Sequence, residues 1–419
     1  QGYSSAASDV YKRQLKYPDI NEGQLDIIFL SGKDRLETYA AAGELSAMDT
    51  NLNATSKILK EYIYPSFLEQ TKYNKNTYAI PVSHSIGQYT YLLVNKALAD
   101  KYYIDASALN SFAACGDLIE EIGRHESGIA PVLAYADPVN MYYWLGGTEP
   151  SLFASYVPAT ATLGSRTTMR SAFDTVGFTE HMLLMKKCED NGWFAANPEN
   201  AENFGVAIMT GDYDLRDKYA EDYEVKVLST PTLTEDVAYA AMFAVSAYTA
   251  NFDRAMEVIT LLNTNAEAKN LLQYGVEGVN YELDDNGALV YLNDAYRMNN
   301  LYTGNALLSY PAPDEAADSR ENGKAANRDS RVSPYFGLSD VADEIDTQLV
   351  EDMRTLSDTY MARMYACANA TELADFFENV KTELYAEPVY KAAFSTGDDS
   401  NSPYAVYSRW FEKLWPSAE

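Results

Sequence analysis

The chain has 419 residues, of which 47% are hydrophobic and 22% charged, so it can bury one or two sizeable cores, and its length argues for two domains. It carries 61 acidic and 32 basic residues, a formal charge of -29 that repels nucleic-acid phosphates and anionic lipid and argues against both as partners. Three single cysteines (Cys115, Cys188 and Cys367) indicate neither a disulfide framework nor a metal-binding pair.

The first fourteen residues differ from the rest of the chain. Asp9 to Gln14 spell DVYKRQ, which resembles the translation of the transposon end sequence used to tag DNA fragments for sequencing. We therefore interpret residues 1–14 as adapter read-through and expect the native sequence to begin at about Leu15. The alternative is a disordered polar terminus. On the first interpretation, the lack of a secretory signal carries no information.

The first predicted elements are a strand and a helix. LDIIFL (Leu25 to Leu30) is a short, β-branched, apolar run, typical of a strand buried on both faces. In the segment that follows, Leu36, Tyr39 and Ala40 have helical spacing. Gly43 suits the left-handed position that ends a helix.

Strands and helices continue to alternate through the middle of the chain. TYAIPV predicts an extended segment, and GQYTYLLVNKALADKY runs from strand into helix. FGVAIMTGDYDL predicts a strand, a turn at Thr210 to Asp212, and a helix beginning at about Tyr213. Strands that alternate with helices favour a largely parallel sheet.

The second half contains more helix. DRAMEVITLLNTNAEAKNLLQYG predicts one long amphipathic helix that ends at Gly275. GVNYELDDNGALVYL predicts a hairpin with an Asn-Gly turn. The polar stretch from Pro311 to Arg331 predicts an exposed loop, and helical patterns dominate from Asp340 to Trp415.

Four segments in chain order carry a resemblance to a known family: LDIIFLSGKDRLETYAAAGELSAMD, YAIPVSHSIGQYTYLLVNKAL, FGVAIMTGDYDL with VKVLSTP, and RAMEVITLLNTNAEAKNLLQYGVEGVNYELDDNG. Together they resemble the extracellular solute-binding proteins of ABC importers. The likeness is to the sugar-binding family that includes the maltose-binding proteins, and more closely to its lipoprotein branch with a long helical C-terminal region. It covers nearly the whole chain from Leu15.

The resemblance implies an α/β, type II periplasmic-binding-protein fold, with two discontinuous α/β lobes joined by a hinge and a helical C-terminal region. We expect residues 15–88 and 236–296 to form lobe one, and residues 89–235 and 297–419 to form lobe two with the helical region. The family places another strand and helix before the strand at Leu25. As written, the chain is therefore expected to be less stable than its parent.

Ligands of open α/β sheets bind at the carboxyl ends of strands, where loops lead into helix N-termini. Asp34 occupies such a position and is either a ligand contact or a helix cap. Gln88 and Tyr89 match the part of the family motif that faces the cleft near the hinge. We interpret His84 as a surface residue.

Further ligand contacts follow from the resemblance. PVLAYADPVNMYYWLGG resembles the family segment with an acidic residue before a proline and then aromatics, which implies Asp137, Asn140 and Tyr142; alternatively, Tyr142 packs the lobe core. Tyr213 stands where relatives often place an aromatic that stacks on a sugar ring. LYTGNALLSYP and RVSPYFG resemble two more cleft-lining stretches and suggest Tyr302, Asn305 and Tyr335.

The expected function is therefore ligand binding with hinge closure, and release of the ligand to permease subunits, with no catalytic residue, cofactor or metal. An oligosaccharide is the favoured ligand; a peptide or a cationic small molecule is the alternative. Less favoured are an extracellular glycoside hydrolase, which needs a carboxylate pair, and a sensor module, because fold does not fix function. We expect a monomer on the extracellular face of the membrane or in the periplasm, attached only through a lost N-terminal lipid anchor.

Overall fold

The computed structural model describes residues 25–133, 155–156, 169–174, 176–196, 203–313, 315–333, 336–397 and 401–414. The chain divides into two compact units. Unit 1 joins the chain up to Gly87 to Leu233–Val332, and unit 2 joins Gln88–Thr232 to the chain from Ser333 onward. The chain therefore crosses from one unit to the other three times, so each unit is built from two separated stretches of sequence.

The described strands are β1 (Ile27–Leu30), β2 (Lys72–Tyr73), β3 (Asn76–Thr77), β4 (Ala79–Pro81), β5 (Tyr89–Asn95), β6 (Ala130–Leu133), β7 (Ser155–Tyr156), β8 (Met169–Arg170), β9 (Phe204–Gly211), β10 (Tyr223–Ser229), β11 (Thr232–Leu233), β12 (Met242–Val245), β13 (Tyr281–Leu283), β14 (Leu289–Tyr291) and β15 (Arg331–Val332).

The described α-helices are α1 (Lys33–Ala41), α2 (Asp49–Leu52), α3 (Leu59–Tyr62), α4 (Pro65–Gln70), α5 (Lys96–Lys101), α6 (Gly116–His125), α7 (Val176–Asp190), α8 (Leu215–Tyr219), α9 (Glu235–Ala238), α10 (Phe252–Thr264), α11 (Ala266–Tyr274), α12 (Ser319–Asp329), α13 (Thr347–Tyr365), α14 (Ala370–Ala386), α15 (Pro388–Ala393) and α16 (Pro403–Leu414). Short 3-10 helices lie at Ala106–Ala108, Ala113–Cys115, Ala172–Asp174, Asn300–Tyr302, Ala306–Leu308 and Leu338–Glu344.

The main sheet of unit 1 has the strand order β1-β12-β4, and both pairs are antiparallel. Leu30 at the end of β1 and Pro81 at the end of β4 are both in register with Met242 at the start of β12. The carboxyl ends of β1 and β4 therefore meet at one edge of the sheet. The prediction of a largely parallel sheet is wrong for the described strands, because β12 returns between β1 and β4 in the opposite direction.

Strand β1 confirms the prediction for LDIIFL, but only one of its faces is fully buried. Ile28 and Leu30 are 6% and 0% exposed, whereas Ile27 and Phe29 on the other face are half-buried. The alternation is the ordinary period of a strand with one face in the core. The expectation that both faces are buried is therefore wrong.

The predicted long helix before Gly275 consists of two helices, α10 and α11. Asn265 between them has an extended backbone (φ -118°, ψ 111°), and its side chain accepts a hydrogen bond from the Ala268 amide at 2.8 Å. An asparagine that caps the second helix ends the first. The predicted hairpin is confirmed: β13 pairs with β14, and Gly287 in its turn has a φ of 79°.

Residues 297–332, expected in lobe two, fall in unit 1. Hydrogen bonds hold them there: the Ala306 amide donates to Ser83 O at 2.8 Å, and Asn270 Nδ2 donates to Leu308 O at 2.9 Å. The loop predicted from Pro311 to Arg331 is also wrong in part, because α12 occupies eleven of these residues.

Unit 2 contains a four-stranded sheet in the order β10-β5-β9-β6. Strand β5 pairs antiparallel with both β10 and β9, whereas β6 and β9 are parallel. One core lies against this sheet, and its fully buried members include Leu92, Val94, Cys115, Ile119 and Cys188. Burial raises the pKa of both thiols to about 12.

The C-terminal helices of unit 2 form a second core. Phe173, Phe178, Tyr360, Phe377 and Leu384 are buried together there, from the segment around α7 and from helices α13 and α14. This confirms the helical pattern predicted after Asp340 for the part of the chain that the structure describes.

Candidate functional site

The candidate ligand surface of unit 2 lies at one edge of its sheet. Tyr89 at the start of β5 is in register with Gly211 at the end of β9, and Thr90 with Ser229 at the end of β10. The amino end of β5 and the carboxyl ends of β9 and β10 therefore share this edge. Open α/β sheets bind ligands beyond the carboxyl ends of their strands.

Three tyrosines form an aromatic cluster at this edge. The Tyr89 ring stacks on the Tyr91 ring with 5.6 Å between centroids and meets the Tyr213 ring edge-to-face at 6.0 Å. Tyr89 is 2% exposed and packs against the other two rings, whereas Tyr213 is half-buried and reaches the surface. Burial raises the pKa of Tyr91 to about 12, so its hydroxyl stays protonated and can donate to Asp212 O at 3.0 Å.

Polar groups surround Tyr213. Gln88 Nε2 donates to Asp212 Oδ1 at 3.4 Å, and both side chains are exposed. Arg216 Nη2 donates to the Tyr213 hydroxyl at 2.9 Å, and its Cζ lies 4.8 Å from the centroid of that ring. An aromatic face beside a carboxylate, an amide and a guanidinium can bind a molecule with an apolar face and a hydroxylated edge.

A closely packed glycine precedes the turn that carries Tyr213. A Cβ at Gly211 would lie 2.3 Å from Leu215 Cδ1 and 3.1 Å from its Cβ. The first residue of α8 therefore packs directly on the end of β9. This close approach positions Asp212 and Tyr213. The order of strand, turn and helix predicted for FGVAIMTGDYDL is confirmed, but its bounds are wrong, because β9 continues to Gly211 and α8 begins at Leu215 rather than at about Tyr213.

The corresponding edge of unit 1 lies at the carboxyl ends of β1 and β4. Gly32, with φ 92°, leads into α1, and Lys33 forms an ion pair with Glu235 Oε1 at 3.0 Å. The interpretation of His84 as a surface residue is wrong. It is half-buried, its Nε2 lies 3.1 Å from Val237 O, and its ring centroid lies 5.4 Å from that of Phe67.

The predicted ligand residues of unit 1 differ in their surroundings. Asp34 is exposed in the first turn of α1 and does not occupy the cap position, which belongs to Gly32. Tyr302 is 45% exposed, and its ring meets that of Phe29 on β1 edge-to-face at 4.5 Å. Asn305 is 3% exposed, and its side-chain amide is bonded to backbone groups. Its Nδ2 donates to Asn263 O at 3.3 Å, and its Oδ1 accepts from Leu307 N at 2.9 Å.

The structure thus brings Gln88, Tyr89 and Tyr213 together in unit 2, and places Tyr302 beside β1 in unit 1. Four other predicted contacts lie outside the described residues: Asp137, Asn140, Tyr142 and Tyr335. Sequence reasoning missed Tyr91 and Arg216. The alternation of Tyr89 and Tyr91 along β5, and the three-residue helical spacing of Tyr213 and Arg216, are the signals that could have found them.

Two further classes of site were considered on the described residues. No group of three or more His, Cys, Asp or Glu residues in these ranges is arranged to hold a metal ion. Among the helices that the structure describes, none has the length and apolar character needed to cross a bilayer.

Comparison with known proteins shows which proteins this chain is similar to. No family model matches the sequence. A carbohydrate ABC transporter substrate-binding protein of Streptococcus pneumoniae serotype 4 is 23% identical over 315 residues, which cover 70% of this chain and 63% of the relative. The match therefore spans less than two thirds of that relative's length.

One solved structure shows the fold. The N-glycan transport solute-binding protein NgtS of Streptococcus pneumoniae aligns with a TM-score of 0.54 at 18% identity, over 98% of this chain and 90% of that one. An HMO-binding, ABC-transporter-associated solute-binding protein of Bifidobacterium longum infantis aligns with a TM-score of 0.47 at 13% identity, over 97% and 91% of the two chains. The predicted resemblance to the solute-binding proteins of ABC importers is confirmed, and the chain has the α/β fold of solute-binding proteins.

Proposed function

We propose that this chain is the substrate-binding component of an ABC importer and that it binds an oligosaccharide at the aromatic cluster of unit 2. The observation that carries the proposal is the Tyr213 turn, where a partly exposed ring is held by Tyr89 and Arg216 beside the Asp212 and Gln88 side chains. The apolar face of a sugar ring would stack on Tyr213, while its hydroxyls would meet the carboxylate and the amide.

The similarity to a relative described as a carbohydrate ABC transporter substrate-binding protein, and to one described as an N-glycan transport protein, supports this ligand class. Asp34 and Tyr302 of unit 1 are proposed as further contacts. We propose that the chain releases its ligand chemically unchanged and that its partners are ABC permease subunits. We propose a monomer that lies at the extracellular face of the membrane, held by a lipid anchor, or in the periplasm. Genes for two permease subunits beside this one would support import.

The test is calorimetric titration of the wild-type chain, Tyr213→Ala and Tyr103→Ala with a panel of released N-glycans, peptides and polyamines. Tyr103 is the matched control, because it is a 97% exposed tyrosine of unit 2 that lies outside the cluster. Loss of a stacking ring should weaken glycan binding by about tenfold or more, about 1.4 kcal/mol. The control should bind as tightly as the wild type.

Two results would contradict the proposal. Binding of peptides or polyamines, with none of glycans, would favour the alternative ligand class, and the exposed carboxylates of Asp212, Asp214 and Asp217 would then face a cation. Mass spectrometry of the recovered glycan tests whether the ligand is released chemically unchanged. A shortened glycan would identify a hydrolase.

A further inference from the structure

Lys269 on α11 is a lysine with no exposed surface (0% relative exposure). Its Nζ donates to Gln273 Oε1, to Asn300 Oδ1 at 2.7 Å and to Thr303 Oγ1 at 2.8 Å, and it lies 3.4 Å from a fourth acceptor, Asn300 O. A lysine ammonium has three donors, so each has a neutral acceptor. In the described part of the chain, the charged group that acts on this ammonium is the Arg320 guanidinium, which is also a cation.

Such an arrangement is costly, since a buried ammonium without a carboxylate loses its hydration and gains no opposite charge. An apolar side chain of the same length would avoid that cost. The ammonium does, however, connect α11 to the turn at 299–303, because three of its four acceptors belong to that turn.

The same turn carries Tyr302. Asn299 Oδ1 accepts from Leu301 N at 2.9 Å, and the Thr303 hydroxyl donates to Asn300 O at 3.0 Å. Tyr302 stands between these residues, with its ring against Phe29 at the end of β1. A shift of the turn would therefore move the Tyr302 ring. Among the described residues of unit 1, Tyr302 is the one aromatic residue that was predicted as a ligand contact.

We propose that Lys269 is a positioning residue, whose buried ammonium fixes the turn at 299–303 and so holds Tyr302 in place for the ligand. This inference rests on the proposed function, because it assigns the ligand contact to Tyr302. Lys269 itself touches no ligand, and it acts through Asn300 and Thr303.

Protonation gives the positioning a pH dependence. Burial first, and the Arg320 charge from α12 second, lower the pKa of Lys269 to about 7. The other groups that face Nζ are Gln273 from α11 and Asn300 and Thr303 from the turn, and none of these three titrates. Above neutral pH, the amine has two N–H donors instead of three, so it holds the turn less firmly.

The experiment compares the wild type with Lys269→Met, which keeps the length and removes the donors, and with Thr303→Val, which removes one acceptor. Lys324→Met is the matched control, a lysine of the same unit whose ion pair with Glu321 lies at the surface. Amide hydrogen exchange of the 299–305 peptide is measured first. Glycan affinity is then measured from pH 6 to pH 9.

In both test variants, we expect exchange of this peptide to rise by about tenfold or more, because the Leu301 and Tyr302 amides are bonded within the turn. Glycan affinity should fall by about tenfold, and the decline of wild-type affinity with rising pH should be absent from Lys269→Met. The control should match the wild type in every measurement. If Lys269→Met fails to fold, Thr303→Val carries the test.

Unchanged exchange in the 299–305 peptide would overturn the inference. So would faster exchange with unchanged glycan affinity, because the turn would then not position a ligand contact. If the wild-type chain binds no glycan, the proposed function fails and the ligand role of Tyr302 with it. The exchange measurement still decides whether Lys269 holds the turn.

Discussion

The Arg216 guanidinium lies over the Tyr213 ring, with 4.8 Å from Cζ to the centroid, and also donates to the Tyr213 hydroxyl at 2.9 Å. One side chain therefore restrains both the plane and the tip of that ring. The Tyr89 and Tyr213 rings also meet edge-to-face. Because Arg216 and Tyr89 both contact the Tyr213 ring, its orientation is set without a ligand. Preorganised contact groups reduce the entropy cost of binding.

Arg216→Met should weaken glycan binding by about threefold to tenfold, since a cation over an exposed ring contributes about 0.5 to 1 kcal/mol and the hydroxyl contact is lost as well. The free energy of unfolding should fall by about 0.5 to 1 kcal/mol, because both contacts are formed within the chain itself. Calorimetry and urea unfolding measure the two effects. Arg124→Met, which removes a surface arginine paired with Glu120 in the same unit, is the control. Equal affinity in both variants would show that Arg216 does not orient the ring.

Gly211→Ala should destabilise the chain by about 1 to 3 kcal/mol, because the new methyl group would overlap Leu215 and push α8 away from β9. Glycan affinity should fall too, since Tyr213 lies within the displaced turn. Gly116→Ala is the matched control, because its Cβ would meet Leu184 at an ordinary 3.8 Å. Adding Leu215→Ala to Gly211→Ala should recover part of the stability. Without such recovery, the overlap with Leu215 would not be the cause.

Lys75→Gly should stabilise unit 1 by about 0.5 to 1 kcal/mol. Asn74 and Lys75 join β2 to β3 with φ values of 48° and 71°, which is the backbone of a two-residue turn that favours Asn-Gly. A lysine in this conformation is strained, and glycine is not. Thermal unfolding measures the change. Lys57→Gly, at an exposed position outside this turn, should give no gain; a gain there of the same size would contradict the explanation.

The pH dependence of unfolding should reveal the burial of Lys269. Its pKa is about 7 in the folded chain and has the ordinary value of 10.5 when exposed, so the unfolded chain binds more protons between these two values. The free energy of unfolding of the wild type should therefore rise with pH from about 7 to 10.5, relative to that of Lys269→Met. Urea unfolding at a series of pH values measures the difference. Parallel curves for the two proteins would contradict this prediction.

Local sequence patterns predicted the elements whose signals are local. The Asn-Gly turn of the β13–β14 hairpin and the glycine turn before Tyr213 depend on residues a few positions apart. Helix α12 was missed because its buried residues are Asn322, Gly323, Ala325, Ala326 and Asn327, which are small or polar and give no apolar stripe. The antiparallel direction of β12 was missed because the period of a strand does not encode its direction.

In the candidate site, too, only the residues with a local sequence signal could be predicted. Tyr213 lies between β9 and α8, and Gln88 directly precedes β5. Both positions follow from the local strand and helix patterns. The burial of Lys269 depends on Asn300 and Thr303, which are 31 and 34 residues away, and the structural use of Asn305 depends on Asn263, 42 residues away. No short window of sequence contains both partners of these contacts.

The central position of β12 also affects how this chain can fold while it is being synthesised. In the described sheet of unit 1, β1 and β4 both pair with β12, a strand that leaves the ribosome more than 150 residues after β4. All four strands of the larger sheet in unit 2 lie between Tyr89 and Ser229, so that sheet has its complete set of strands before β12 emerges. A chain that ends after residue 232 would therefore contain all four described strands of the larger sheet in unit 2 but only two of the three in unit 1, and its β1 and β4 would lack the strand that joins them.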